Sequence, residues 1–189
     1  MESYDAQGRS EWTFSTAFFV APNLLLTAGH AVVPPKGSVK THYCLFPPGT
    51  ASVEFYDMID ETLDAIDAII LENTFKTGEM AKDIALLSSG SYKNRHYLLM
   101  SFDPLATGDM VDIVGYPADK SKMWIAKKHP DLSNRRDAER IGEELLPRGK
   151  LAVTRGIVTS TCDDATSYTI STCPGLSGSC VLHNGKIYG

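Results

Sequence analysis

The 189-residue chain lacks the marks of several large protein classes. It has no basic excess: 18 Lys and Arg stand against 23 Asp and Glu, a net charge of −5. That balance argues against bulk nucleic-acid binding and leaves room only for a local basic patch. It has no Cys-x-x-Cys pair, and Cys44, Cys162, Cys173 and Cys180 show no metal-ligand spacing, so no metal and no cofactor are expected. It has no internal repeat and no low-complexity tract, which sets aside a repeat array. Met1 to Glu11 carries three acids and one Arg, the wrong charge for a secretory leader. Without a leader the cysteines do not establish an oxidising compartment, and the expectation falls on the cytoplasm.

What is present is ordinary for a globular protein: 43% hydrophobic and 22% charged residues. A chain of this length buries roughly 70% of its unfolded surface, enough for a core without disulfide or metal staples. Trp12 to Pro35 contains no Asp, Glu, Lys or Arg and is long enough to span a membrane. Pro22, Asn23, Gly29 and His30 interrupt it, however, so two buried strands are expected and no membrane partner.

Short strand-like runs dominate the first half: Thr13–Val20, Leu24–Thr27, Val39–Phe46, Ser52–Met58, Ile66–Glu72 and Ile84–Ser88. Leu63–Leu71 also admits a helical reading. Ser89–Ala106 has little periodicity and reads as a crossover. A second series follows: Met110–Tyr116, Leu151–Thr161, Ser167–Cys173, Ser179–Leu182 and Lys186 to the end. Asp163-Asp164 and His183-Asn184-Gly185 mark hairpin turns, the Asn-Gly pair being a type I′ signal. Cys162 and Cys173 flank one hairpin; they either face each other across it or are buried free thiols. The expected organisation is two β modules, 1–89 and 107–189, joined by a linker at 90–106. Asp119–Lys150, with nine basic and six acidic residues, reads as a partly helical, solvated insertion at 119–150.

Three stretches carry chemistry. Thr27-Ala28-Gly29-His30 follows an apolar strand, Lys82-Asp83-Ile84-Ala85-Leu86-Leu87 puts an acid before a buried strand, and Cys173-Pro174-Gly175-Leu176-Ser177-Gly178-Ser179 sets a Ser on a Gly-rich turn. A serine hydroxyl needs a base such as His to take its proton. That His needs a carboxylate to fix its tautomer. Backbone N–H groups freed by glycines can converge on a developing oxyanion. Each piece alone has a bland explanation: a packed His, a common strand entry, any tight turn. The α/β-hydrolase reading fails because Gly175-Leu176-Ser177-Gly178-Ser179 lacks the last glycine of G-x-S-x-G and no strand–helix alternation surrounds it.

In the order His, Asp, Ser, with gaps of 53 and 94 residues, the three stretches resemble the trypsin/chymotrypsin-like serine peptidase family. Ser15–Val20 with Leu24–His30 is similar to the strand pair that presents that family's His. Thr107–Pro117 and Arg155–Val158 are similar to the opening strands of its second barrel. The spelling is closest to the glutamyl-endopeptidase-like, bacterial-type branch. The resemblance implies an all-β fold of two six-stranded antiparallel β-barrels of the chymotrypsin-like type. It also implies a serine endopeptidase acting on protein or peptide substrates. Ser177 would be the nucleophile, His30 the general base and Asp83 the orienting acid. The N–H groups of Gly175 and Ser177 would form the oxyanion hole. Asp67, in Asp67-Ala68-Ile69-Ile70-Leu71, is a competing acid; Asp83 is preferred because its gap to His30 leaves room for six strands.

The chain departs from the family in three places. Leu176 stands where trypsin-like zymogens place an Asp, and no Ile-Val-Gly-Gly start exists, so activation through a new amino terminus is not expected. The implied floor of the substrate pocket, Ser171 and Thr172, has hydroxyls and no carboxylate, so a glutamate, polar or small side chain fits better than a cation. Gly189 falls within what resembles the fifth strand of the second barrel, so that barrel is expected to be incomplete, with further domains or a partner strand beyond residue 189. The competing function is a non-catalytic, protease-like binding or regulatory module of a larger protein. Nucleic-acid binding through Lys120–Lys150 is not expected.

Overall fold

The clearest strands, Ile84–Ser88 and Met110–Gly115, show alternation: a residue facing the core is followed by one facing outward. The computed structural model describes residues 1–45, 66–76, 83–90, 96–117, 140, 151–162, 165–170, 172–173 and 175–188. In chain order the strands are β1 (Glu2–Tyr4), β2 (Ser10–Trp12), β3 (Phe18–Ala21) and β4 (Leu24–Ala28), then a 3-10 turn at Gly29–Val32. There follow β5 (Lys40–His42), β6 (Cys44–Leu45), β7 (Ile66–Asp67), β8 (Ile69–Asn73) and β9 (Ile84–Ser88). The second half contributes β10 (Met110–Gly115), β11 (Ala152–Cys162), β12 (Ala165–Tyr168), β13 (Cys180–His183) and β14 (Lys186–Ile187).

The fold is all-β, and its strand ladders are antiparallel. They form sheets ordered β2-β1-β5, β6-β7, β3-β4-β9-β8 and β12-β11-β10-β13-β14. Each sheet takes its strands from one side of the crossover. The first core gathers Val32, Ala68, Ala85 and Leu87 with Tyr43 and Ile70 against them. The second gathers Leu105, Val111 and Val158 with Tyr168, Ile170, Val181 and Tyr188. Full burial of a Val or Ile side chain stabilises the fold by roughly 1.5–3 kcal/mol. Ile187, at 0% exposure, is therefore one of the heavier contributors. The charge-free run before Pro35 folds as β3, β4 and the 3-10 turn.

Several boundaries differ from those expected, each for a hydrogen-bonding reason. The run Thr13–Val20 is strand only from Phe18, because the N–H groups of Thr13 and Thr16 donate to the carbonyls of Met1 and Ser177 instead of a neighbouring strand. Val39–Phe46 splits in two, since β5 pairs with β1 and β6 pairs with β7. The strand expected at Ser167–Cys173 runs from Ala165 to Tyr168; further on, the Cys173 carbonyl accepts the Leu176 N–H. The helical alternative for Leu63–Leu71 gives way to β7 and β8. Cys162 does not face Cys173: the hairpin pairs it with Ala165, and its exposed thiol lies 3.4 Å from the Ala165 carbonyl. The hairpin at His183-Asn184-Gly185 takes the left-handed pair expected of a type I′ turn, with φ of 50° and 75°.

The crossover is stitched to both halves. Leu98 N–H donates to Phe19 in β3, while Leu99 and Ser101 flank Ile187 of β14, the one accepting and the other donating. The expected strand Ser52–Met58, the turn Asp163-Asp164 and all of the charged insertion except Arg140 lie outside the described residues.

Candidate active site

The β4–β9 ladder brings the first two site residues together. Its register sets Ala28 opposite Ile84, so the residues just past β4 meet those just before β9. His30 follows β4 in the 3-10 turn, whose neighbours Ala31 and Val32 are buried and leave His30 on the outer side. Asp83 immediately precedes β9. Its carboxylate takes two hydrogen bonds from one residue: the His30 backbone N–H at 2.7 Å and the ring Nδ1 at 2.6 Å. A carboxylate only accepts, so the ring hydrogen sits on Nδ1 and the lone pair on Nε2 points away from Asp83.

Ser177 lies on the turn that leads into β13. Its Oγ is 3.0 Å from His30 Nε2, so the hydroxyl can donate to that lone pair. The turn closes through Leu176 N–H to the Cys173 carbonyl and Ser179 N–H to the Leu176 carbonyl. It needs glycine on both sides of Leu176-Ser177: Gly175 has φ of 91° and Gly178 has φ of 78°. At Gly178 a Cβ would also lie 2.3 Å from the Thr16 carbonyl oxygen. The N–H groups of Gly175 and Ser177 donate to no other group among the described residues, so both are available to a ligand oxygen. Gly175 and Leu176 are buried, whereas Ser177 is half-buried and accessible.

Asp67 is elsewhere. It bonds His42 Nε2 at 2.7 Å, and its side chain is 82% exposed against 29% for Asp83. Thr172 is exposed in the irregular stretch ahead of the turn, and Ser171 lies outside the described residues. Cys180, which follows the Gly-Ser pair, is buried, and burial pushes its thiol pKa up.

Two neighbours of the site carry no signal in the sequence. Asn73 Nδ2 donates to the Gly29 carbonyl at 3.2 Å, and its Oδ1 accepts the Phe75 N–H at 3.0 Å. Phe75 meets the His30 ring edge-on, with centroids 6.1 Å apart. Asn73 ends β8 and Phe75 lies two residues past it; β8 pairs with β9, so the ladder that leads from Asp83 also brings these two groups to Gly29 and His30. An Asn at a strand end is an ordinary turn former, and nothing in its spelling points to residue 29.

Antiparallel sheets on either side of a crossover, with a carboxylate, an imidazole and a hydroxyl in line, define the chymotrypsin-like class of serine peptidase fold. Residues 15–189 match the family model of the trypsin-like peptidase domain, and the chain belongs to that family. Among solved structures, a Glu endopeptidase in complex with MPD is similar at 22% identity and a TM-score of 0.58, with 100% of this chain and 75% of that one covered. The active form of the Rv3671c protease from M. tuberculosis is similar at 15% identity and a TM-score of 0.56, over 98% of this chain and 65% of that one. Its inactive form gives 16% identity and a TM-score of 0.52, over 92% and 68%. The chain thus spans about two thirds to three quarters of these proteases, and the likeness is one of fold. No curated protein matches it.

Proposed function

We propose that the chain is a serine endopeptidase that cleaves peptide bonds through an acyl-enzyme on Ser177. The observation that carries this reading is the pair of hydrogen bonds running Asp83–His30–Ser177, at 2.6 and 3.0 Å. His30 Nε2 takes the hydroxyl proton as Ser177 Oγ attacks the scissile carbonyl. The negative charge on the carbonyl oxygen is met by the N–H groups of Gly175 and Ser177, which donate to no other group among the described residues. His30 then passes its proton to the leaving amine, and releases the acyl group by activating a water. Asp83 holds the tautomer and stabilises the imidazolium throughout.

The domain reading follows the same logic: two modules, 1–89 and 107–189, joined by 90–106, with His30 and Asp83 contributed by the first and Ser177 by the second. Thr172 and Ser171 offer hydroxyls and no charge, which favours a small or polar side chain, including glutamate, over a cation at the cleaved position.

A fluorophosphonate probe tests the reading. The wild-type protein should label at a single residue, and Ser177→Ala should lower both labelling and peptide hydrolysis by about 10⁴-fold or more. Equal labelling of the two proteins, or none in either, defeats it in favour of a non-catalytic binding module.

A further inference from the structure

We propose that Thr16 is a positioning residue for this site: it grips Gly175 and Ser177 from behind, so that their N–H groups face the reacting carbonyl. The inference rests on the peptidase reading of Ser177 and adds to it a residue far away in sequence and outside the triad.

Thr16 is 4% exposed and lies in the irregular stretch just before β3. Its backbone N–H donates to the Ser177 carbonyl at 2.9 Å. Its hydroxyl donates to the Gly175 carbonyl at 3.0 Å and accepts the Tyr116 N–H at 2.8 Å. Its own carbonyl accepts the hydroxyl of Thr27 at 2.6 Å. Thr27 is itself buried in β4, the strand that ends at Ala28 and delivers His30. Tyr116 directly follows β10. One side chain and its peptide groups thereby join the turn bearing Ser177, the strand behind His30 and the end of a strand of the second half.

The two carbonyls that Thr16 holds belong to the same two residues whose N–H groups are left for substrate. Each needs its carbonyl fixed away from the cleft, and in a buried setting that carbonyl needs a donor. A hydroxyl meets the demand because it donates and accepts at once. Valine has the shape of threonine but leaves the Gly175 carbonyl and the Tyr116 N–H without partners. The packing leaves the turn no slack on this side, since a Cβ on Gly178 would lie 2.3 Å from both the Thr16 carbonyl oxygen and Thr27 Oγ1. A turn displaced by about 1 Å loses about 100-fold in rate when it carries the reacting groups.

The experiment compares Thr16→Val with Thr16→Ser well below the melting temperature, using hydrolysis of an activated ester and the rate of fluorophosphonate labelling. Thr16→Val should lower kcat by about 10- to 100-fold with KM within about threefold, and Thr16→Ser should restore kcat to within about threefold of wild type. Should Thr16→Val not fold, Thr27→Val loosens Thr16 without removing its hydroxyl and should lower kcat by about 3- to 10-fold. Unchanged kcat with only a lower melting temperature, or a Ser variant no better than the Val variant, overturns the inference. Amide spectra supply an independent reading: the signals of Gly175, Ser177 and Tyr116 should move in Thr16→Val while those of β12 stay. If Gly175 and Ser177 do not move, the inference is overturned. A wild type inert towards ester and probe defeats the peptidase reading alone, and the spectra still decide whether Thr16 holds the turn.

Discussion

Two histidine–aspartate pairs with nearly equal hydrogen bonds occur among the described residues, His30–Asp83 at 2.6 Å and His42–Asp67 at 2.7 Å. By residue type and distance they are the same object. Their surroundings separate them. Asp83 takes a second bond from the His30 backbone, Asn73 bonds the carbonyl of the preceding Gly29, and Phe75 meets the ring edge-on. The two imidazoles are almost equally exposed, but Asp67 is 82% exposed against 29% for Asp83 and joins two sheet edges, β7 and β5, where water competes for the carboxylate. Above all, the far nitrogen of His30 meets the Ser177 hydroxyl at 3.0 Å. A hydrogen bond between two groups is common; here it is the surrounding groups, not the bond itself, that differ.

The sharpest way to break that comparison is to remove the same carboxylate charge from both pairs. Asp83→Asn should lower kcat by about 10⁴-fold while the protein stays folded, because an amide at that position favours the wrong imidazole tautomer. Peptide hydrolysis and a thermal melt measured on the same sample check this, and activity within tenfold of wild type would remove Asp83 from its role. A smaller effect should follow from Gly29→Ala, which leaves every polar group in place. Its Cβ would lie 2.6 Å from both Asn73 Oδ1 and Phe75 Cβ and 3.2 Å from Asp83 Oδ1. Moving that backing should cost about 1–3 kcal/mol of stability and about 100-fold in kcat, read by chemical denaturation and by turnover. The smallest effect belongs to Asp67→Asn. An exposed pair contributes about 0.5 kcal/mol or less, and kcat should stay within about twofold of wild type. A large loss of activity there would mean that the two pairs had been assigned the wrong way round.

The sequence was most informative where a local rule carries the whole effect. Ile84–Ser88 is the strand that its alternation and leading acid indicated, and the Asn184-Gly185 turn has the left-handed angles its spelling requires. The Ser177 turn was legible for the same reason, since glycine at residues 175 and 178 reports the positive φ that only a tight turn needs. Asp83 and Asp67 were not separable on such grounds, as both precede apolar, strand-forming residues. The register of β4 against β9 separates them. The three-residue strands β1 and β2 are too short to show alternation, and Val39–Phe46 looked continuous because nothing local records a change of partner. Thr16, Asn73 and Phe75 left no trace because their partners lie far along the chain, up to 159 residues for Thr16 and Gly175.

By itself the sequence determined the all-β class, the order His30, Asp83, Ser177 and the turn chemistry that exposes a hydroxyl between glycines. Those properties follow from periodicity and from the angles that individual residues tolerate. Only the tertiary structure decided which carboxylate faces the His30 imidazole and which distant groups bond to the turn that carries Ser177. Hydrogen bonds act over about 3 Å, and the groups concerned are 53 and 147 residues apart. Strand pairing alone sets which of those distant groups come within that reach.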